Sequence, residues 1–157
     1  MGVPWASASD QIKLDLGNAC LRATLKLVRY LHRRGIPWIW ENPDSSKMWD
    51  VSDVKEIAAM QGVRTVVADF CRFKKPWRKR TRFLCGNIDE LDLSRLDKRC
   101  QGSRGICSST GKPHFQLSGS SPSGIPWTRI AQPYPTGLCH ALAFALTAKA
   151  RARYYHV

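Results

Sequence analysis

The chain has 157 residues, of which 43% are hydrophobic and 24% charged, and 25 Lys and Arg against 12 Asp and Glu give a net charge of +13. These proportions are those of a globular domain with one core, which excludes wholesale disorder. No apolar run approaches the ~18 residues of a transmembrane helix, and the first residues lack the basic and apolar regions of a signal peptide. We therefore expect an intracellular protein (nuclear in a eukaryote) that does not contact a membrane and whose six cysteines are thiols or metal ligands.

The positive charge is concentrated towards the C-terminus. Residues 1–71 carry 9 basic and 8 acidic side chains, residues 72–97 carry 8 and 4, and residues 98–157 carry 8 and none. Such asymmetry favours contact with a polyanion, and DNA is the partner that we expect. The alternative is a basic protein that has no nucleic-acid partner.

The first half of the chain is predicted to alternate helices and strands. Residues 9–34 have apolar side chains at helical spacing and predict one long amphipathic helix, with a separate short helix over its first two turns as the alternative that Gly17 leaves open. The apolar run 36–40 predicts a buried strand, and residues 51–61 predict a second, shorter helix.

Two more strands are predicted at residues 63–71 and 78–84, joined by a short turn. The helical connection between the first two strands implies a parallel, right-handed crossover, whereas the short turn implies that the last strand is antiparallel. The pattern is that of part of an α/β sheet.

The second half of the chain is less regular. Residues 101–127 are rich in Gly, Ser and Pro and are predicted to be irregular. A final helix is expected from Thr136, followed by a basic tail. Its predicted buried face consists of Leu138, Leu142, Ala145 and Leu146.

A carboxylate follows the first predicted strand, in the sequence Glu41-Asn42-Pro43. In open α/β sheets, ligands bind beyond the carboxyl ends of the strands, so Glu41 is a candidate for proton transfer. The alternative is that Glu41 only caps the next turn.

A basic run follows at residues 72–82, where seven of eleven residues are Lys or Arg. Arg78, Arg80 and Arg82 are expected on one face of a strand, because side chains alternate with a period of two. They suit phosphates, a base carbonyl or the carboxylate of Glu41. The alternatives are a solvated hairpin edge and a nuclear-localisation-like basic run. The residues expected to contact nucleic acid are Arg72, Lys74, Lys75, Trp77, Arg78 and Lys79.

A third candidate site consists of Cys85, Cys100, Cys107 and His114, separated by fourteen, six and six residues. These gaps are wider than those of common zinc folds, but a Cys3His zinc site would stabilise an irregular segment. The alternative is that these cysteines are buried small hydrophobic residues.

Several motifs in order resemble the C-terminal part of DNA cytosine-5 methyltransferases, especially the divergent forms carried by viruses, phages and mobile elements. The matching stretches are Gly35-Ile-Pro-Trp-Ile-Trp-Glu41-Asn42-Pro43 with Ser45-Ser46-Lys47-Met48-Trp49, Ala68-Asp69-Phe70-Cys71, Trp77-Arg78-Lys79-Arg80-Thr81-Arg82, Gly111-Lys-Pro-His114 and Ala131-Gln-Pro-Tyr134-Pro135-Thr-Gly-Leu138. The resemblance implies a partial Rossmann-like sheet of the methyltransferase type with an antiparallel last strand. It divides the chain into an α/β core (1–85), a target-recognition-like segment (86–130) and a closing helix with a basic tail (131–157).

The resemblance also implies site residues. Glu41, supported by Asn42, would bond the edge of a flipped cytosine, and Arg80 and Arg82 would contact the base and the active-site loop. We therefore expect the Glu41 carboxylate to converge with these two guanidiniums. Arg78 stands where the family often has Gln, so its role does not carry over.

Two family elements have no counterpart in the sequence: the Phe-x-Gly-x-Gly cofactor loop and the Pro-Cys pair that carries the nucleophile. The resemblance is therefore to an N-terminally truncated enzyme that is inactive alone and uses S-adenosylmethionine only with a complementary N-terminal chain. The two alternatives are a non-catalytic nucleic-acid-binding module with a structural zinc site, and a decayed gene product with no selected activity.

Overall fold

The computed structural model describes the backbone of residues 7–154 and the side chains of residues 7–148. The side chains of the predicted basic tail (Lys149, Arg151 and Arg153) lie outside the described residues. Five helices and three strands are described, in a mixed α/β arrangement. No helix of this part of the chain is long and apolar enough to cross a lipid bilayer.

The first helix, α1, is continuous from Ala8 to Arg33. The Ser7 side chain accepts a hydrogen bond from the backbone N–H of Asp10 and caps its start. The helix ends at Arg33, and Gly35 just beyond it has a φ of 65°, the left-handed conformation expected there. The prediction of one long helix is confirmed, and the alternative of a separate short helix before Gly17 is not found, because one glycine costs a helix only about 1 kcal/mol and both flanking segments favour helix.

The strands are β1 (Trp38–Pro43), β2 (Val63–Asp69) and β3 (Arg80–Gly86), and the helix α2 (Ser52–Ala58) connects the first two. They form a sheet in the order β1-β3-β2, with both pairs antiparallel. The prediction that the last strand is antiparallel is confirmed.

The predicted parallel orientation of β1 and β2 is found, but the two strands are not neighbours in the sheet. The two strands run in the same direction, but β3 lies between them and bonds to both. The physical reason is the short connection from β2 to β3, which lets β3 pair with β2 and leaves its other edge for β1. Within the described residues the sheet is therefore antiparallel throughout.

The pairing register assigns side chains to the two faces of the sheet. Trp40 opposes Leu84 and Asn42 opposes Arg82, whereas Glu41 opposes Phe83. Opposed residues share a face and successive residues alternate, so Glu41 and Arg82 belong to opposite faces.

Each face of the sheet packs against helices. The face of Trp38 and Leu84 packs on α1 and α2, with a core that consists of Leu25, Val28, Trp38, Trp49, Val54, Ile57, Val63 and Leu84. The face of Phe83 packs on α3 (Glu90–Leu93) and α5 (Thr136–Tyr154).

The segment between α3 and α5 is largely irregular, as predicted. It contains two isolated bridges, at Ile106–Pro113 and Ser120–Pro126, and the single-turn helix α4 (Trp127–Ile130). The predicted start of the last helix at Thr136 is confirmed, and Leu138 and Ala145 are buried as expected. Leu146 is 40% exposed, and Ala141 is buried in the same core instead.

Candidate metal centre and basic surface

Four buried side chains that can ligate a metal meet beside the C-terminal end of β2. They are Cys71, Cys100, Cys107 and His114, and their ligand atoms all lie within 4.8 Å of one another. The Cys100 Sγ and His114 Nε2 atoms are 3.7 Å apart. This cluster, here called the Cys3His cluster, can hold a metal ion such as zinc.

The donor set suits structural zinc. Three thiolates and one imidazole are a common tetrahedral ligand set with no open position. A Zn–S distance of about 2.3 Å implies ligand atoms about 3.8 Å apart, so a bound ion requires a contraction of about 1 Å at most. The cysteines are not in disulfides.

Hydrogen-bond donors surround two of the sulfurs. The backbone N–H and the hydroxyl of Ser108 lie 3.4 and 3.5 Å from the Cys100 Sγ. Burial opposes ionisation of Cys100, but these donors outweigh it and lower its pKa to about 6. Burial likewise opposes ionisation of Cys107, and its pKa is lowered by donors from Ser109 and Thr110. Such N–H···S bonds are the outer-shell interactions that orient metal-binding thiolates.

Cys85 does not belong to the Cys3His cluster, contrary to the prediction. It lies in β3, and its side chain is buried among apolar residues on the α5 side of the sheet. Burial raises the pKa of its thiol to about 12. Cys85 is therefore a small core residue.

Cys71 takes the place predicted for Cys85. The sequence placed it at the end of a strand, but β2 ends at Asp69 and a 3-10 turn over Phe70–Phe73 follows. Burial and the neighbouring thiols Cys100 and Cys107 raise the pKa of Cys71 to about 12 in the metal-free protein. Its 28-residue separation from Cys100 is outside any local zinc-binding spacing, so local spacing could not identify it.

The hairpin arginines are used inside the protein. Arg80 donates from Nε and Nη2 to the two carboxylate oxygens of Asp69, at 3.1 and 2.9 Å. Arg78 donates to the same carboxylate at 3.3 Å and to the Cys100 carbonyl at 2.8 Å. These arginines therefore attach the Cys100 backbone to the end of β2, next to the Cys3His cluster.

Asp69 keeps its charge although its side chain is fully buried. Burial raises the pKa of this carboxyl, but hydrogen bonds from Arg80 and the Cys100 N–H, together with the charges of Arg80 and Arg78, outweigh it, so the pKa lies below its ordinary value. The Cys100 N–H donates at 2.7 Å. Asp69 thus stabilises the loop that carries Cys100.

The expected convergence of Glu41 with Arg80 and Arg82 is not found. Arg82 pairs with Asp44 at 2.7 Å and lies 5.3 Å from the centre of the Trp49 ring. Both arginines project from the sheet face opposite to Glu41, because the register alternates along β3. The predicted pocket between one carboxylate and a row of guanidiniums is therefore wrong.

Glu41 has a different neighbour. Glu41 lies near Tyr134, whose pKa is raised by burial and then by the Glu41 carboxylate. The Lys79 ammonium lies 5.9 Å from the centre of the Tyr134 ring. Asn42, the predicted support for Glu41, instead donates to the Met48 sulfur at 3.2 Å.

The lysines of the basic run differ from the arginines. Lys74 and Lys75, with Lys112 from the irregular segment, line a cleft of about 370 Å³ whose other walls include Cys71, Cys107 and His114. Within residues 7–148, none of these three lysines forms an ion pair with a carboxylate. Two other residues that were predicted to contact nucleic acid differ in exposure. Arg72 is exposed, whereas Trp77 is only 8% exposed and lacks the free face that base stacking requires.

No protein-family description, curated protein or solved structure matches this chain. The resemblance to DNA cytosine-5 methyltransferases therefore stays a prediction.

Proposed function

We propose that the chain is a nucleic-acid-binding module stabilised by a zinc ion at the Cys3His cluster. The observation that carries the proposal is that this cluster joins two basic segments of the chain. Cys71 directly precedes the basic run 72–82, and the other ligands belong to the segment after residue 97, which contains no acidic residue. A metal ion there would hold both segments on one surface.

The distribution of ion pairs supports a polyanionic partner. Arg78, Arg80 and Arg82 are engaged in ion pairs with Asp69 and Asp44. The three cleft lysines have no such partner in the described residues, so their charge is available to phosphates. Such contacts provide affinity without sequence readout.

The experiment is a titration of the zinc-loaded chain with a fluorescent DNA duplex at several salt concentrations. With about six phosphate contacts, log K should fall with log salt at a slope of about −5. The same titration with a neutral protein of similar size is the control for non-specific signal. An absence of binding at about 50 mM salt would contradict the proposal.

The second candidate is a methyltransferase-type base pocket. It is supported by the position of Glu41 near the end of β1 beside Tyr134, and by the antiparallel last strand. It requires a complementary chain that supplies the nucleophilic cysteine and the S-adenosylmethionine pocket. Glu41 would then act on a flipped base without the two arginines.

Glu41→Gln separates the two candidates in the same titration. A phosphate-binding module should keep its affinity and its salt slope, because Glu41 contributes no positive charge. If the chain contains a base pocket, the parent should extrude the target base, and the fluorescence of 2-aminopurine in the duplex should increase. The Glu41→Gln variant should not show this increase. Glu56→Gln, on the exposed side of α2, is the matched control.

A further inference from the structure

We propose that the cleft lined by Lys74, Lys75 and Lys112 is the site at which backbone phosphates of the nucleic acid bind. The inference rests on the proposed function and assigns it to one place on the surface. The cleft lysines would then bind the nucleic acid, whereas the hairpin arginines hold the protein's own structure together.

The walls of the cleft are held in place by the backbone. The Cys107 N–H donates to the Lys112 carbonyl at 2.8 Å and closes the turn that presents Lys112. The Phe115 N–H donates to the Pro76 carbonyl at 2.8 Å and joins the irregular segment to the basic run. Lys74 has a φ of 67°, a left-handed conformation that is uncommon for a residue other than glycine. The lysines are therefore brought together by tertiary structure, on two segments 37 residues apart.

The side chains at the cleft suit a phosphate. Lysine ammonium groups are compact charges with three donors each, and Thr110 adds a hydroxyl to the lining. No Asp or Glu of the described chain lines this cleft. Lys75 also lies 5.6 Å from the centre of the Trp77 ring, which limits the directions that its ammonium can take.

The charge of the metal centre does not cancel that of the lysines. Zinc with three thiolates and a neutral imidazole carries one net negative charge. The three lysines exceed this negative charge by two positive charges, so the metal centre alone does not explain why three lysines line the cleft. A zinc-loaded cleft therefore has a surplus that attracts an anion.

The test compares two triple variants of the full, zinc-loaded chain with the same DNA duplex. Lys74→Ala, Lys75→Ala and Lys112→Ala together should weaken binding by at least about tenfold at about 0.1 M salt and reduce the salt slope by about 2.7. The control removes equal charge from the exposed faces of α1 and α2 by Lys26→Ala, Arg33→Ala and Lys55→Ala, and should weaken binding by less than about threefold. Both triple variants should bind one zinc ion per chain.

If the triple variant does not fold, the single variant Lys112→Ala tests the cleft instead, because Lys112 lies in an exposed turn. It should reduce the salt slope by about 1 and leave the zinc content unchanged. The corresponding Lys→Arg triple variant keeps the charge and should retain most of the affinity.

The failures are distinguishable. If the parent chain does not bind DNA, the proposed function is wrong. If the parent binds but the cleft and control triples weaken binding equally, the function stands and the cleft assignment is wrong. If the cleft triple binds DNA normally but loses binding to a poly-glutamate peptide that the parent binds, the cleft is an acidic-peptide site and the inference is overturned.

Discussion

At the scale of single residues, Asp69 shows how a buried charge stabilises an otherwise irregular part of the chain. Its carboxylate accepts hydrogen bonds from Arg78, Arg80 and the Cys100 backbone, so its desolvation is compensated by charged and neutral donors. Because both arginines also bond to the Cys100 carbonyl, the network determines where one metal-binding sulfur lies. The arginines are therefore needed for the geometry of the Cys3His cluster.

Asp69→Asn should lower the free energy of unfolding by about 2–4 kcal/mol, because its amide nitrogen would face donors and the arginines would lose their counter-charge. Urea denaturation of the zinc-loaded protein measures this. Asp97→Asn, which removes an exposed pair with Arg99, should change it by less than about 1 kcal/mol. Equal effects of the two substitutions would contradict the structural role of Asp69.

The contribution of Asp69 to the free energy of unfolding should depend on pH. The pKa of Asp69 is lower in the folded protein than its ordinary value of 3.8, so its contribution to stability is fully present above that value. The contribution is lost as the pH falls from there through the folded pKa. The stability difference between the parent and Asp69→Asn should therefore narrow below about pH 4, and a difference that is constant down to pH 2 would contradict this.

At the scale of elements, the central position of β3 requires close packing. Gly86 opposes Trp38 in β1, and a Cβ added at Gly86 would collide with the buried Trp38 ring. A bulkier residue at this position would displace the ring from the core that joins the sheet to α1 and α2. Glycine is thus needed in β3 for space, whereas Gly17 in α1 has nothing within 4 Å of an added Cβ.

Opposite effects are expected at these two glycines. Gly86→Ala should destabilise the protein by about 1–3 kcal/mol because of overpacking. Gly17→Ala should stabilise it by about 0.5–1 kcal/mol, because alanine is the better helix former and meets no neighbour. Thermal unfolding of both variants measures the difference, and a stabilising Gly86→Ala would show that the Trp38 ring is free to move.

At the scale of the whole molecule, residues 7–148 form two apolar cores and one cluster of metal-binding side chains. The sheet and its helices form the two cores, and the buried cysteines 71, 100 and 107 form a third, small cluster. The irregular segment between α3 and α4 contributes few residues to the apolar cores, so a metal ion would supply much of its stability.

Removal of the metal should therefore affect that segment selectively. A zinc chelator should lower the unfolding temperature and abolish amide-exchange protection at residues 98–115, while β1, β2 and β3 stay protected. Added zinc should restore both. Cys71→Ser should bind less than one zinc per chain, whereas Cys85→Ser and the exposed Cys139→Ser should each bind one. Loss of zinc in Cys85→Ser alone would contradict the ligand assignment.

The sequence by itself determined the features that depend on neighbouring residues. Apolar periodicity identified α1, the strands and the start of α5, and composition identified the irregular segment. Three of the four residues in the Cys3His cluster (Cys100, Cys107 and His114) were found because they lie close together in an irregular region.

Only the tertiary structure decided the features that depend on distant segments. The insertion of β3 between β1 and β2, the exchange of Cys85 for Cys71 and the opposite faces of Glu41 and Arg82 all follow from which strands pair and in which register. A shift of one residue in register moves a side chain to the other face, and nothing local to Glu41 or Arg82 specifies that register. The same is true of Asp69, whose partners were visible in the sequence only as a run of positive charge.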